Sequence, residues 1–200
     1  MQNVSLARIA GLIGMVGGVS WIVSVIMEQG FGVEESSGTL YVVSVVLSMI
    51  GLIGSNIGFL GLIWGGAFRG WFGSLAVWVH VFGYALIVIG GVAGLVLGEA
   101  AGPLFILFPI GGALHGPSQL MLAVAVLATA RWTGWQRWMP LLYSVYAILG
   151  LGLPMVLGVA PDGPSMDLEI GQGVCWFLVA LAVYTAQGKT AAQPSAVGQV

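Results

Sequence analysis

The chain is a succession of apolar runs, each long enough to cross the roughly 30 Å hydrocarbon core of a bilayer as a helix, with charged residues confined to the ends and the gaps. In lipid such runs can satisfy their backbone N–H and C=O groups only by coiling into helices, because no water is there to pair with them. The runs read as six spans: about Ser5 to Met27, Thr39 to Gly66, Trp71 to Leu97, Pro103 to Ala130, Trp138 to Val159 and Asp167 to Ala186. The predicted fold is an all-α, polytopic six-helix transmembrane bundle forming a single domain over residues 1–186. Residues 187–200 are small and polar without apolar periodicity, and read as a disordered cytoplasmic tail. Composition agrees: 58% of residues are hydrophobic and 6% charged, against about a quarter charged in soluble domains. The connections are too short for an extramembrane domain, so any activity has to lie inside the bundle or at its rims.

The two signs of charge then separate. With the N-terminus inside, Arg8, Arg69, Arg131, Arg137 and Lys189 all face the cytoplasm. Glu28, Glu34, Glu35, Glu99, Asp162, Asp167 and Glu169 all face out. Lys and Arg bias alone sets orientation, so the acidic segregation is a separate regularity that points the same way. Trp64, Trp71, Trp132, Trp135 and Trp138 cluster at the same inner boundary, where an amphipathic indole is favoured. The predicted location is the cytoplasmic (inner) membrane, multi-pass, with both termini inside. A signal peptide cut after Gly18-Val19-Ser20 is disfavoured, because the first run continues through Met27 and the uncleaved threading gives the consistent charge map. A net charge of -2, spatially sorted, gives no surface for nucleic acid. The single cysteine, Cys175, excludes an intramolecular disulfide.

Glycine, at 33 residues, is the second theme. Gly14 with Gly18, Gly54 with Gly58, Gly61 with Gly65, Gly90 with Gly94 and Gly98, and Gly112 with Gly116 stand four apart, which lays smooth strips on single helix faces. Such strips let helix backbones approach closely, where dispersion replaces the hydrophobic force that lipid removes. Intramolecular packing is the expected use, and dimerisation through one strip the alternative. A weak parallel repeat, Asn56, Arg69 and Gly70-Trp71 against Gln119, Arg131 and Gly134-Trp135, runs through the second and fourth spans.

Polar residues inside the spans are the pointer to function, since each is costly in hydrocarbon unless it finds a partner, a cavity or a ligand. No Asp, Glu, Lys or Arg lies deep in any span, which argues against a pump built on a buried carboxylate and against a retinal Schiff base. At about 1.5 Å per residue, Asn56, His80, Gln119 and Ser144 fall in one layer roughly 4 to 7 Å to the cytoplasmic side of the midplane. The fourth span carries the densest group: His115, Ser118 and Gln119 share a face by their spacing of three and four, and Pro117 frees a carbonyl one turn earlier. The candidate ligand-binding set is Asn56, His80, His115, Ser118, Gln119 and Ser144, suited to an uncharged or weakly polar ligand. In the plainer reading Ser118 and an ordered water mend the proline break, and His115 and Gln119 tie helices together by hydrogen bonds.

No cofactor is predicted. Haem or chlorophyll held by His80 or His115 is the cofactor alternative, and a depth difference of roughly 8 Å between the two disfavours a haem shared by them. Paired carboxylates, a His-Glu-x-x-His motif, a Gly-x-Ser-x-Gly elbow and a phosphate loop are all missing from the sequence, so the enzyme class is left without a motif. The expected partners are the lipid bilayer and either a small uncharged ligand or another membrane protein. The first functional reading is a small carrier or ligand-binding protein, and its rival a structural or accessory subunit that packs through glycine-rich faces.

Overall fold

The computed structural model describes residues 3–153, 157–158 and 165–186. The expected tail 187–200 with Lys189, and Asp162 of the last outer loop, lie outside the described residues. Among those described the chain is helical, with no strand beyond one isolated antiparallel bridge between Phe68 and Ala130. Among the described residues five helices are long and apolar enough to cross a membrane: Val4–Gly30, Thr39–Trp64, Trp71–Gly94, Ala100–Thr129 and Met166–Thr185.

Helix α1 (Val4–Val25) is prolonged by a π-helical turn, Ile26–Gly30. Its start is fixed by Asn3, whose Oδ1 accepts from the Leu6 amide at 3.1 Å, satisfying one of the free N–H groups of a helix N-terminus. Helices α2 (Thr39–Trp64) and α3 (Trp71–Leu97) follow, then a 3₁₀ stretch, Gly98–Ile106, leads into α4 (Leu107–Thr129). The run expected as a fifth span is α5 (Met139–Tyr146), opened by Pro140 and prolonged by a π-helical segment, Ala147–Gly152. This piece falls short of spanning length among the described residues, and the rest of the run lies largely outside them. The final helix is α6 (Met166–Thr185).

The helices pack in the order of the chain: α1 against α2, α2 against α3, α3 against α4, α4 against α5, α5 against α6, and α6 back onto α1. Backbone hydrogen bonds fix one end of the bundle. The Arg69 amide donates to the Thr129 carbonyl and the Arg131 amide to the Ala67 carbonyl, both at 2.7 Å, so the α2–α3 and α4–α5 connections clasp each other. Trp132 Nε1 adds a bond to the Gly65 carbonyl at 3.2 Å, and the Asn3 amide donates to Trp64 O at 3.0 Å. At the far ends of α1 and α2, Ser44 Oγ donates to Glu28 Oε1 at 2.6 Å, and Trp21 Nε1 donates to the Glu169 carbonyl at 3.1 Å. Arg69 and Arg131 therefore share one end of the molecule, and Glu28 and Glu169 the other.

Glycine sets the closest approaches. A Cβ on Gly17 would stand 2.7 Å from the Ser55 nitrogen, one on Gly14 2.8 Å from Gly58 Cα, and one on Gly18 2.8 Å from the Phe177 nitrogen. These are backbone contacts that cannot swing aside, so α1 is sealed between α2 and α6 by the absence of side chains. Helices α3 and α4 meet the same way at one point, where a Cβ on Gly111 would come 2.5 Å from the Gly83 carbonyl oxygen. Gly112 and Gly116 face open space instead.

Candidate functional site

At the α3–α4 contact, one to two turns from the Gly83–Gly111 crossing, polar side chains occupy the interior. His80 and Gln119 are fully buried, and Gln119 Nε2 lies 2.9 Å from His80 Nδ1. An amide nitrogen has only protons to give, so in this arrangement His80 Nδ1 accepts and a neutral ring carries its proton on Nε2. His115 stacks alongside, its ring centroid 5.8 Å from that of His80. The rings are thus closer than the roughly 8 Å of depth counted between the two residues along their helix axes, because that count leaves out the reach of the side chains. Phe59 of α2 and Tyr84 of α3 pack on the His80 ring at 4.3 and 4.9 Å, and Tyr84 also meets His115 at 5.1 Å. A macrocycle gripped between the two imidazoles would have to displace these rings.

A second hydrogen-bonded group adjoins the first. Gln172 Nε2 of α6 donates to the Tyr84 hydroxyl at 2.8 Å, and that hydroxyl lies 3.3 Å from the hydroxyl of Tyr143 on α5. Tyr143 stacks on Phe59 at 5.0 Å and edge-on to His80 at 5.7 Å, and Trp176 caps Tyr84 at 5.7 Å. Side chains from α2, α3, α4, α5 and α6 thus converge on one buried centre.

Of the residues singled out from sequence, His80, His115 and Gln119 are brought together. The others turn back to their own helices: Asn56 Nδ2 donates to Leu52 O at 2.7 Å, Ser118 Oγ to His115 O at 2.6 Å, and Ser144 Oγ to Pro140 O at 2.8 Å. Helix α4 runs unbroken through Pro117, and Ser118 Oγ bonds the His115 carbonyl rather than that of Ala113, the one that a proline at 117 leaves without its amide partner. Asn56 lines a groove of about 250 Å³ between α2 and α3, whose other walls, including Leu60, Val81 and Ala85, are apolar. Sequence reasoning missed Tyr84, Tyr143 and Gln172. Gln172, a lone amide three residues past Glu169 in an apolar run, was the available signal; the tyrosines were hidden because an aromatic in a span reads equally well as packing.

The group leaves atoms unmatched. Gln119 Oε1 and His115 Nδ1 are buried and have no hydrogen-bond partner among the described residues. They lie four residues apart on α4, hence on one face. Among the described residues no group of three or more His, Cys, Asp or Glu is placed to share a metal ion. Comparison with known proteins finds no matching family model, no matching curated protein and no matching solved structure.

Proposed function

We propose that the chain is a multi-pass protein of the cytoplasmic membrane, with six spans and both termini inside, that binds or carries a small uncharged ligand at the centre of its bundle. The orientation is supported by the arginine-bearing connections clasped at one end and by Glu28 and Glu169 at the other. One observation carries the ligand reading. Two unmatched polar atoms, Gln119 Oε1 and His115 Nδ1, belong to residues on one face of α4 in a bundle interior where most buried polar groups find partners.

A ligand that binds only the folded state raises its melting temperature. The expected result is that some small neutral molecule stabilises the purified protein and that His115→Ala and Gln119→Ala each abolish the shift. Unchanged stabilisation in both variants, for every active compound, would sink the reading. Orientation is tested separately by cysteine labelling in a Cys175→Ala background, where Arg69→Cys and Glu99→Cys should react from opposite aqueous sides.

The accessory-subunit reading draws on a different observation. Gly112 and Gly116 present an open face on α4, whereas Gly14, Gly17, Gly54 and Gly58 are consumed inside the bundle. A stoichiometric membrane partner recovered in mild detergent, and lost on Gly116→Leu, would favour it.

A further inference from the structure

Resting on the ligand reading above, we infer that the His80–His115–Gln119 site accepts a neutral molecule of a few heavy atoms bearing both a hydrogen-bond donor and an acceptor, of the primary amide type, and rejects ions of the same shape. The first ground is the amide of Gln119. Its nitrogen is engaged by His80 Nδ1 and its oxygen is buried without a partner, so the site offers an acceptor that asks for a donor. Rotating the amide would let Oε1 accept from a protonated His80 Nδ1 and would leave the –NH₂ asking for an acceptor. An occupant with both capacities satisfies either state, and one with a single capacity satisfies only one.

The second ground is His115. Its Nδ1 is also unmatched and lies on the same α4 face, so the two groups can hold one molecule at two points. A neutral imidazole nitrogen is a donor or an acceptor according to its tautomer, which again suits an amphoteric partner. The third ground is charge. Every Asp, Glu, Lys and Arg of the chain lies outside Thr39–Trp64, Trp71–Leu97 and Leu107–Thr129, so no formal charge on these helices can compensate an ion. Burying an unpaired ion is far costlier than burying a hydrogen-bonded dipole. Size is limited by the rings of Phe59, Tyr84 and Tyr143, packed within 4.3 to 5.7 Å of the His80 ring.

Three probes of nearly one shape separate these properties: acetamide, acetate and acetamidinium. The full chain, labelled with ¹⁵N in its histidine rings and glutamine side chains and held in nanodiscs, would be titrated with each. Acetamide should move the His80, His115 and Gln119 side-chain signals saturably, and Gln119→Met should weaken that binding roughly fivefold, the loss of about one neutral hydrogen bond. Acetate and acetamidinium should leave the same signals in place at equal concentration. If Gln119→Met does not yield a monodisperse protein, His115→Phe, at a part-exposed position, takes its place with the same expected loss. Saturable binding of either ion at these nuclei would overturn the ligand class while leaving the site itself standing. No saturable response to any of the three, or a response equal in the variants, would overturn both.

Discussion

The α1–α2–α6 side of the bundle and the α3–α4 pair are both made of apolar helices, yet they are held together differently. On the first side glycine faces meet backbone to backbone along several turns: Gly11 and Gly18 against α6, and Gly14 and Gly17 against α2. That contact is dispersion at short range, tolerant of no added atom and indifferent to hydrogen bonding. The α3–α4 pair touches this way at Gly83 and Gly111, and then opens to admit His80, His115 and Gln119. Tyr84 ties that pair to α6 through Gln172 and to α5 through Tyr143. One region is a scaffold sealed by missing side chains; the other is a polar interior joined to it by a few directional bonds.

The contrast can be broken most sharply at Gly17. Gly17→Val places new atoms against the Ser55 and Gly54 backbone, and the cost should exceed about 3 kcal/mol, the top of the usual overpacking range. Loss of the monodisperse species on size exclusion would register it, and a variant melting like the native chain would mean that α1 and α2 are not sealed as described. Tyr84→Phe should cost about 1 kcal/mol, since two interhelical bonds are lost at an average of roughly 0.6 kcal/mol each in membranes. Hydrogen exchange should rise in α3 and α4 and stay unchanged in α1 and α2, whereas a uniform rise would erase the distinction between the two regions. The smallest effect is expected at Gly116, where nothing lies within 4 Å of an added Cβ. Gly116→Ala should shift stability by less than about 1 kcal/mol, toward greater stability from helix propensity, as thermal melting in detergent would show.

Several features were legible because they depend on composition or on short spacing along one helix. The apolar runs announced helices, and Gly14, Gly54 and Gly58 in their strips announced close packing. His115 and Gln119, four apart, had to share a face. What escaped was everything decided between helices. Counting along the helices puts Asn56 and Ser144 in one layer with His80 and Gln119, yet depth along an axis says nothing about rotation around it, and both side chains bond their own helix instead. Tyr84 and Tyr143 gave no signal because a tyrosine in a span is as good a hydrophobe as phenylalanine until its hydroxyl is seen to meet another. The strip Gly112–Gly116 looked like those of α1 and α2, but only the fold shows which strips are used and which face outward.

The sequence by itself determined that this protein is helical and apolar enough to lie in a membrane, since hydrocarbon leaves a long uncharged run little else to be, and that its charges stand at the ends of its helices. Only the tertiary structure decided that His80 of α3 meets Gln119 of α4, that Gln172 reaches Tyr84 across the bundle, and that Gln119 Oε1 and His115 Nδ1 are left unmatched beside them. The reason is that a helix fixes which residues share its face but not the direction in which that face turns, and lipid, apolar on every side, supplies no force to turn it. The rotation is set by where glycines let neighbouring backbones touch.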